Sequence, residues 1–174
     1  GGVVLARIFE EAGLPEGVLH VLTGGADVGE AVVSAPEVAV ISFTGSTAAG
    51  RRVGEAASRL LKRAHLELGG NNALIVLPGA DLDRAASAGA FGSFLHQGQI
   101  CMATGRHIVH RDIHDEYVAK LAAKAQALRV GDPFTDDVDL GPIIDERQLK
   151  SIDAIVRDAV DAGARVCAGG TNDG

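Results

Sequence analysis

Residues 38–50, VAVISFTGSTAAG, contain the junction that decides the fold. Residues 38–43 form a nearly continuous apolar run, which is typical of a strand buried on both faces of a parallel sheet. Gly45 and Ser46 follow this strand, and a helical pattern then runs from Thr47 to Leu61. A helix N-terminus carries unpaired N–H groups that favour an anion, and a serine there can also cap the helix. The stretch therefore predicts a strand, a turn and a helix, with either a phosphate-binding turn or an ordinary capped helix.

The same alternation of strand and helix continues on both sides of this junction. Helical patterns cover residues 3–12, 28–34, 82–95, 115–128 and 146–162. Strand patterns cover residues 18–22, 64–68, 73–77, 107–110 and 165–168, and residues 130–145 predict a long loop rich in Gly, Pro and Asp. Strands that alternate with helices imply βαβ units and a mostly parallel sheet. We therefore predict an α/β fold, with its clearest boundary at Gly69 and Gly70.

Composition and charge exclude several classes of protein. The chain has 174 residues and a net charge of −7, and an acidic chain is a poor candidate for binding nucleic acid or an anionic membrane. No run approaches the roughly 18 apolar residues of a membrane-spanning helix. Cys101 and Cys167 are the only cysteines and do not suggest a disulfide framework. With no signal peptide visible at the N-terminus, we predict a soluble cytoplasmic protein.

Cys101 is a candidate nucleophile in a loop of small residues, GQICMATG at 98–105. An accessible thiolate attacks carbon efficiently, whereas a buried thiol is inert, and the sequence leaves both possibilities open. Cys167 lies in a predicted apolar strand, where we expect an inert thiol. His96 precedes Cys101 closely enough to suggest a Cys–His hydrolase dyad, but Gly98 separates the two, so we expect no dyad.

Two further features concern acid–base chemistry and metals. Glu67 ends a predicted strand, where open α/β sheets bind ligands, so it is either a general base or a carboxylate that faces solvent. His107, His110 and His114 have the spacing of metal ligands on a helix. The local pattern is a strand and a turn, which would separate their side chains, and we predict no metal site.

The motifs FTGS at 43–46, LELGG at 66–70 and GQIC at 98–101 occur in this order, with Cys101 34 positions after Glu67. Together they resemble the aldehyde dehydrogenase superfamily, and the resemblance covers essentially the whole chain. The stretch LHQGQICMATG at 95–105 is most similar to the branch of benzaldehyde and vanillin dehydrogenases.

The resemblance implies a fold, a cofactor and a role for each site residue. It implies parts of two Rossmann-like three-layer α/β/α domains, with residues 1–69 as the C-terminal part of the NAD(P)-binding domain and residues 70–174 as the N-terminal part of the catalytic domain. Cys101 would attack an aldehyde, and hydride would pass to NAD or NADP. Glu67 would activate the water that hydrolyses the thioester. The cofactor residues would be Gly45, Ser46, Thr47, Gly50 and Leu68, with Gly24 and Gly29 lining the cleft.

The resemblance also has gaps. Family members are longer, and the chain lacks their upstream oxyanion-hole Asn, their Lys-Pro-Ser segment and their downstream Glu. We therefore expect a fragment that is inactive or nearly so alone, cut from an enzyme that forms a homodimer or homotetramer. Three alternatives remain: a non-catalytic derivative of the fold, a thiol hydrolase, and a dehydrogenase that transfers its acyl group to coenzyme A or phosphate. The presence of both Cys101 and Glu67 favours the hydrolytic dehydrogenase.

Overall fold

The structure is a computed structural model that describes residues 1–171, and it divides after Leu68 into two units. Unit 1 comprises Gly1–Leu68, and unit 2 begins at Gly69. No helix in residues 1–171 is both long and apolar enough to cross a membrane.

Unit 1 consists of three helices and one two-stranded parallel sheet. The order is α1 (Gly2–Glu11), α2 (Ala26–Ser34), β1 (Val40–Thr44), α3 (Thr47–Arg59) and β2 (Arg63–Glu67). The strands pair with Val40 opposite Arg63 and Thr44 opposite Glu67. Ile41 and Ala57 are the buried apolar side chains of this unit. The strand, turn and helix predicted from residues 38–50 all form, with β1 starting two residues later than expected. The expected burial of the strand on both faces is wrong, because in this two-stranded sheet only Ile41 of β1 is buried.

Unit 2 repeats this arrangement with a second two-stranded parallel sheet. The order is β3 (Ala73–Val76), α4 (Leu82–Phe94), β4 (Arg106–Val109), α5 (His114–Gln126) and α6 (Glu146–Asp161). Ala73 lies opposite Arg106, and Val76 lies opposite Val109. The core consists of Val76, Ala86 and Tyr117, with partly buried side chains of β3, α4 and α5 packed around it.

Two predicted strands are wrong. Residues 18–22 and 165–168 are irregular, and neither segment pairs with a strand in the described part of the chain. An alternation of apolar residues favours an extended backbone. A β-strand forms only when that backbone also hydrogen-bonds to a neighbouring strand. The burial expected for Cys167 in that strand is wrong, because its side chain is exposed.

The predicted loop at 130–145 is confirmed as irregular, and ion pairs hold its start. Arg129 Nη1 lies 2.6 Å from Asp137 Oδ2, and Arg129 Nη2 lies 3.2 Å from Asp139 Oδ1. The hydrogen bond from the Arg129 side chain lowers the pKa of Asp139 below its usual value. These groups are exposed, so their contribution to stability is small.

Helix α1 has an apolar surface that the rest of the described chain leaves in solvent. Val4, Leu5, Ile8 and Phe9 are all exposed, and no residue of the helix is buried. Its apolar residues recur at helical spacing, as in an amphipathic helix.

Candidate active site

The turn between β1 and α3 is built as a helix N-terminus. Ser46 is the N-cap, and its Oγ accepts a hydrogen bond of 3.2 Å from the Ala49 backbone N–H. The Gly45 N–H donates to the Glu67 carbonyl at 3.0 Å, which continues the pairing of β1 with β2. The turn that begins α3 and the end of β2 therefore lie together in unit 1.

Gly50 has a packing role in the first turns of α3. It is buried, and a Cβ placed on it would overlap Leu68 Cδ2. Its missing side chain therefore lets Leu68 pack directly on the helix. This contact places two of the predicted cofactor residues against each other.

A cavity of about 1010 Å³ lies between α2 and α3 in unit 1. Residues of both helices line the cavity, together with several glycines. The lining includes Gly24, Gly29, Phe43, Ala49 and Arg52. The sequence placed Gly24 and Gly29 in the cofactor cleft, and both line this cavity. Gly45, Ser46, Thr47, Gly50 and Leu68 are not among its lining residues. Arg52 is a cation in this lining that the sequence analysis did not select.

Glu67 ends β2 and has a partner that the sequence analysis did not assign. His65 Nε2 lies 2.9 Å from Glu67 Oε1, and the two side chains are 69% and 64% exposed. Residues two apart on a strand project from the same face, so this pair was readable from the sequence. The Glu67 carboxylate faces solvent, where it is accessible to water.

Cys101 is exposed on an irregular loop of unit 2. The loop follows α4 through a short 3-10 turn at Leu95–Gly98, in which His96 and Gln97 have φ angles of 52° and 57°. Left-handed backbone at residues other than glycine is uncommon and clusters at functional sites. Within residues 1–171 no side chain hydrogen-bonds to the Cys101 thiol, and His96 forms no dyad with it. The thiol is therefore exposed rather than buried.

The Cys101 backbone is approached closely by Gly70. A Cβ placed on Gly70 would lie 2.6 Å from the Cys101 carbonyl oxygen, closer than real side chains come to backbone. A Cβ placed on the neighbouring Gly69 would meet nothing within 4 Å. Of these two adjacent glycines, only the second is required by contact with the cysteine loop.

Substitution G70A should therefore lower the free energy of unfolding by about 1–3 kcal/mol, the usual cost of overpacking against backbone. The matched control is G69A, which we expect to change the free energy of unfolding by about 0.5 kcal/mol or less. Urea denaturation of both variants, followed by circular dichroism, measures the difference. Equal effects of the two substitutions would contradict the close approach at Gly70.

A partly buried polar network supports the end of the cysteine loop. Ser93 Oγ donates to the Thr104 carbonyl at 2.7 Å and lies 2.9 Å from His107 Nε2. Tyr117 Oη lies 2.8 Å from His107 Nδ1. Tyr117 is 1% exposed, and burial raises its pKa. The network ties β4, α4 and α5 to the last residues of the loop.

The three histidines with metal-like spacing have separate partners. His107 belongs to this network, His110 lies near Asp112, and His114 lies near Asp115. Across residues 1–171 no three His, Cys, Asp or Glu side chains cluster as metal ligands do.

The chain thus consists of two small parallel α/β units, the first with an exposed carboxylate at a strand end and the second with an exposed cysteine on a loop. The sequence profile described as "Aldehyde dehydrogenase family" matches residues 2–174, and the chain belongs to that family. This confirms the resemblance drawn from the three motifs, and with it the α/β fold of aldehyde dehydrogenases.

Individual relatives lie in the branch that the sequence indicated. The chain is 68% identical over 171 residues to a vanillin dehydrogenase of Amycolatopsis sp. strain ATCC 39116, and 58% identical over 171 residues to a benzaldehyde dehydrogenase [NAD(+)] of Pseudomonas putida. Each alignment covers 98% of this chain and 35% of the relative. The chain thus spans about a third of the length of the curated relatives it matches.

Solved structures show the same likeness. An aldehyde dehydrogenase C mutant of Pseudomonas syringae, complexed with NAD+ and octanal, matches with a TM-score of 0.93 at 36% identity, covering 98% of this chain and 36% of that one. An NAD-dependent aldehyde dehydrogenase of Sinorhizobium meliloti matches with a TM-score of 0.96 at 35% identity, covering 99% of this chain and 35% of that one.

Proposed function

We propose that this chain supplies the nucleophile and the general base of an NAD(P)-dependent dehydrogenase that oxidises aromatic aldehydes to carboxylic acids. The observation that carries the proposal is the exposed Cys101 on its loop, in a chain of this family. The aromatic substrate class rests on similarity to dehydrogenases named for vanillin and benzaldehyde.

Unit 1 has features that suit the cofactor. Its cavity of about 1010 Å³ is at the upper end of the range for ligand sites, and glycines and Arg52 in the lining suit a pyrophosphate group. Gly45, Ser46, Thr47, Gly50 and Leu68 remain our candidates for contacts at the helix start. When bound, NAD or NADP supplies the hydride acceptor. We accordingly assign unit 1 to the cofactor domain and unit 2 to the catalytic domain.

Cys101 performs the first half of the reaction. Its thiolate adds to the aldehyde carbon, and the carbonyl π-electrons move to oxygen to give a thiohemiacetal anion. The Cys101 backbone N–H hydrogen-bonds to that oxygen, and one such donor is typically worth about 3–4 kcal/mol in the transition state. The oxyanion electrons re-form the C=O bond as hydride leaves the carbon, and an acyl thioester remains on Cys101.

Glu67 performs the second half. Its carboxylate takes a proton from water, and the hydroxide so formed attacks the thioester carbon. The C–S bond breaks, the carboxylic acid departs and the Cys101 thiolate returns. The overall change is one aldehyde, one water and one oxidised cofactor converted to one acid, one reduced cofactor and one proton. Transfer of the acyl group to water, rather than to coenzyme A or phosphate, is what the presence of Glu67 supports.

Alkylation of Cys101 tests whether the nucleophile and the cofactor communicate. The rate with iodoacetamide is measured in C167S at one fixed pH, with and without NAD+. We expect the alkylation rate of the exposed Cys101 thiol to change when NAD+ is present. A rate that is the same with and without NAD+ would contradict an assembled site in this chain.

Activity is tested in a hybrid, termed the chimera, in which this chain replaces the matching region of the Amycolatopsis vanillin dehydrogenase. We expect the chimera to reduce NAD+ with vanillin or benzaldehyde, and the chain alone to be inactive or nearly so. The intact Amycolatopsis enzyme is the control. Cytoplasmic location and a homodimeric or homotetrameric whole enzyme remain predictions of the proposed function.

A further inference from the structure

The side chain of Asn72 hydrogen-bonds to the backbone of the cysteine loop, residues 98–105, at two points. Asn72 Nδ2 donates to the Cys101 carbonyl at 3.0 Å and to the Ala103 carbonyl at 3.2 Å. An amide nitrogen carries two hydrogens, so one side chain satisfies both acceptors. Within residues 1–171, Asn72 is the only residue whose side chain hydrogen-bonds to Cys101.

Asn72 is itself fixed by the sheet of unit 2. Its backbone N–H donates to the Ala103 carbonyl at 3.1 Å, and its carbonyl accepts from the Arg106 N–H at 3.2 Å. These bonds extend the β3–β4 ladder by one residue before Ala73, where β3 begins. The amide therefore projects from a strand end rather than from a mobile loop.

The two carbonyls that flank the Cys101 α-carbon are both held. The Ile100 carbonyl accepts from the Ala103 N–H at 3.0 Å, and the Cys101 carbonyl accepts from Asn72. Fixing the peptide planes on either side of a residue fixes its φ and ψ, since these are its only soft backbone torsions. The directions of the Cys101 N–H and of its Cα–Cβ bond are set as a result.

We propose that Asn72 is a positioning residue for the nucleophile, and that it orients both the Cys101 thiol and the Cys101 N–H toward the aldehyde. This inference rests on the proposed function. Gly70 supports it, because a side chain there would meet the same Cys101 carbonyl. Misplacing reacting groups by about 1 Å can cost about 10²-fold in rate, which sets the size of the expected effect.

The test measures kcat and KM separately in the chimera. In N72D a carboxylate of the same shape replaces the two donors and faces two carbonyl oxygens, so we expect kcat to fall about 10²-fold with KM within about threefold. N72S retains a single donor, and we expect an intermediate kcat. The matched control is N71A, because Asn71 is the adjacent exposed amide and its side chain makes no hydrogen bond in the described part of the chain.

A purely structural role predicts a different pattern. Loss of stability lowers the melting temperature and the fraction of folded enzyme, whereas the kcat of the folded fraction, counted by titration of Cys101, stays near that of N71A. If N72D fails to fold, the kcat of N72S per titrated thiol decides. A kcat equal to that of N71A within about twofold overturns the positioning role. Activity surviving in C101A would instead overturn the proposed function on which it rests.

Discussion

Replacement of Cys101 by alanine should abolish aldehyde oxidation by the chimera, with kcat reduced by about 10⁴-fold or more. The substitution removes the sulfur that forms the covalent bond to the substrate, and no other exposed cysteine is available in the loop. The measurement is the absorbance of NADH under saturating aldehyde and NAD+.

The control for this substitution is C167A. Cys167 is also an exposed free cysteine, but it lies outside the loop at 98–105. We expect C167A to keep the activity of the unmodified chimera within about twofold, since surface substitutions away from a site usually have small effects. Equal losses in C101A and C167A would mean that cysteine replacement damages the fold rather than the chemistry.

The substitution E67Q should separate the two halves of the reaction. The amide cannot accept a proton from water, so the thioester forms and then hydrolyses slowly. We expect a burst of one NADH per active site followed by a steady rate reduced by about 10²–10⁴-fold. Rapid mixing records the burst, and mass spectrometry of the quenched protein locates the acyl group on Cys101.

An exposed carboxylate elsewhere in unit 1 provides the comparison. Glu37 is exposed in the segment between α2 and β1. We expect E37Q to keep the steady rate of the unmodified chimera and to show no burst. A normal steady rate in E67Q would assign the proton transfer to another group, while the role of Cys101 would stand.

Local signals in the sequence predicted much of the fold. The apolar run before Gly45 and the cap at Ser46 predict β1 and α3 from local pattern alone, and both elements form, β1 by pairing with β2. Residues 18–22 and 165–168 have comparable local patterns, but a strand also requires a neighbour, and that information is not local. The exposure of Cys167 was missed for the same reason.

The candidate site was predictable in its residue types and less so in its support. Cys101 and Glu67 follow from motifs, and His65 follows from strand periodicity. Asn72 hydrogen-bonds to a carbonyl 29 positions away, and no sequence spacing predicts such a contact. The cavity between α2 and α3 likewise depends on how two helices pack.

Because the apolar surface of α1 is exposed, the protein concentration determines whether this chain is monomeric or associated in solution. Large apolar patches drive proteins to associate with one another, and the associated fraction rises with protein concentration. Melting curves, alkylation rates and spectra of the chain alone will therefore describe a monomer only in dilute samples. A dilution series belongs with each of them, and the reading that no longer changes on further dilution is the one to compare with the structure.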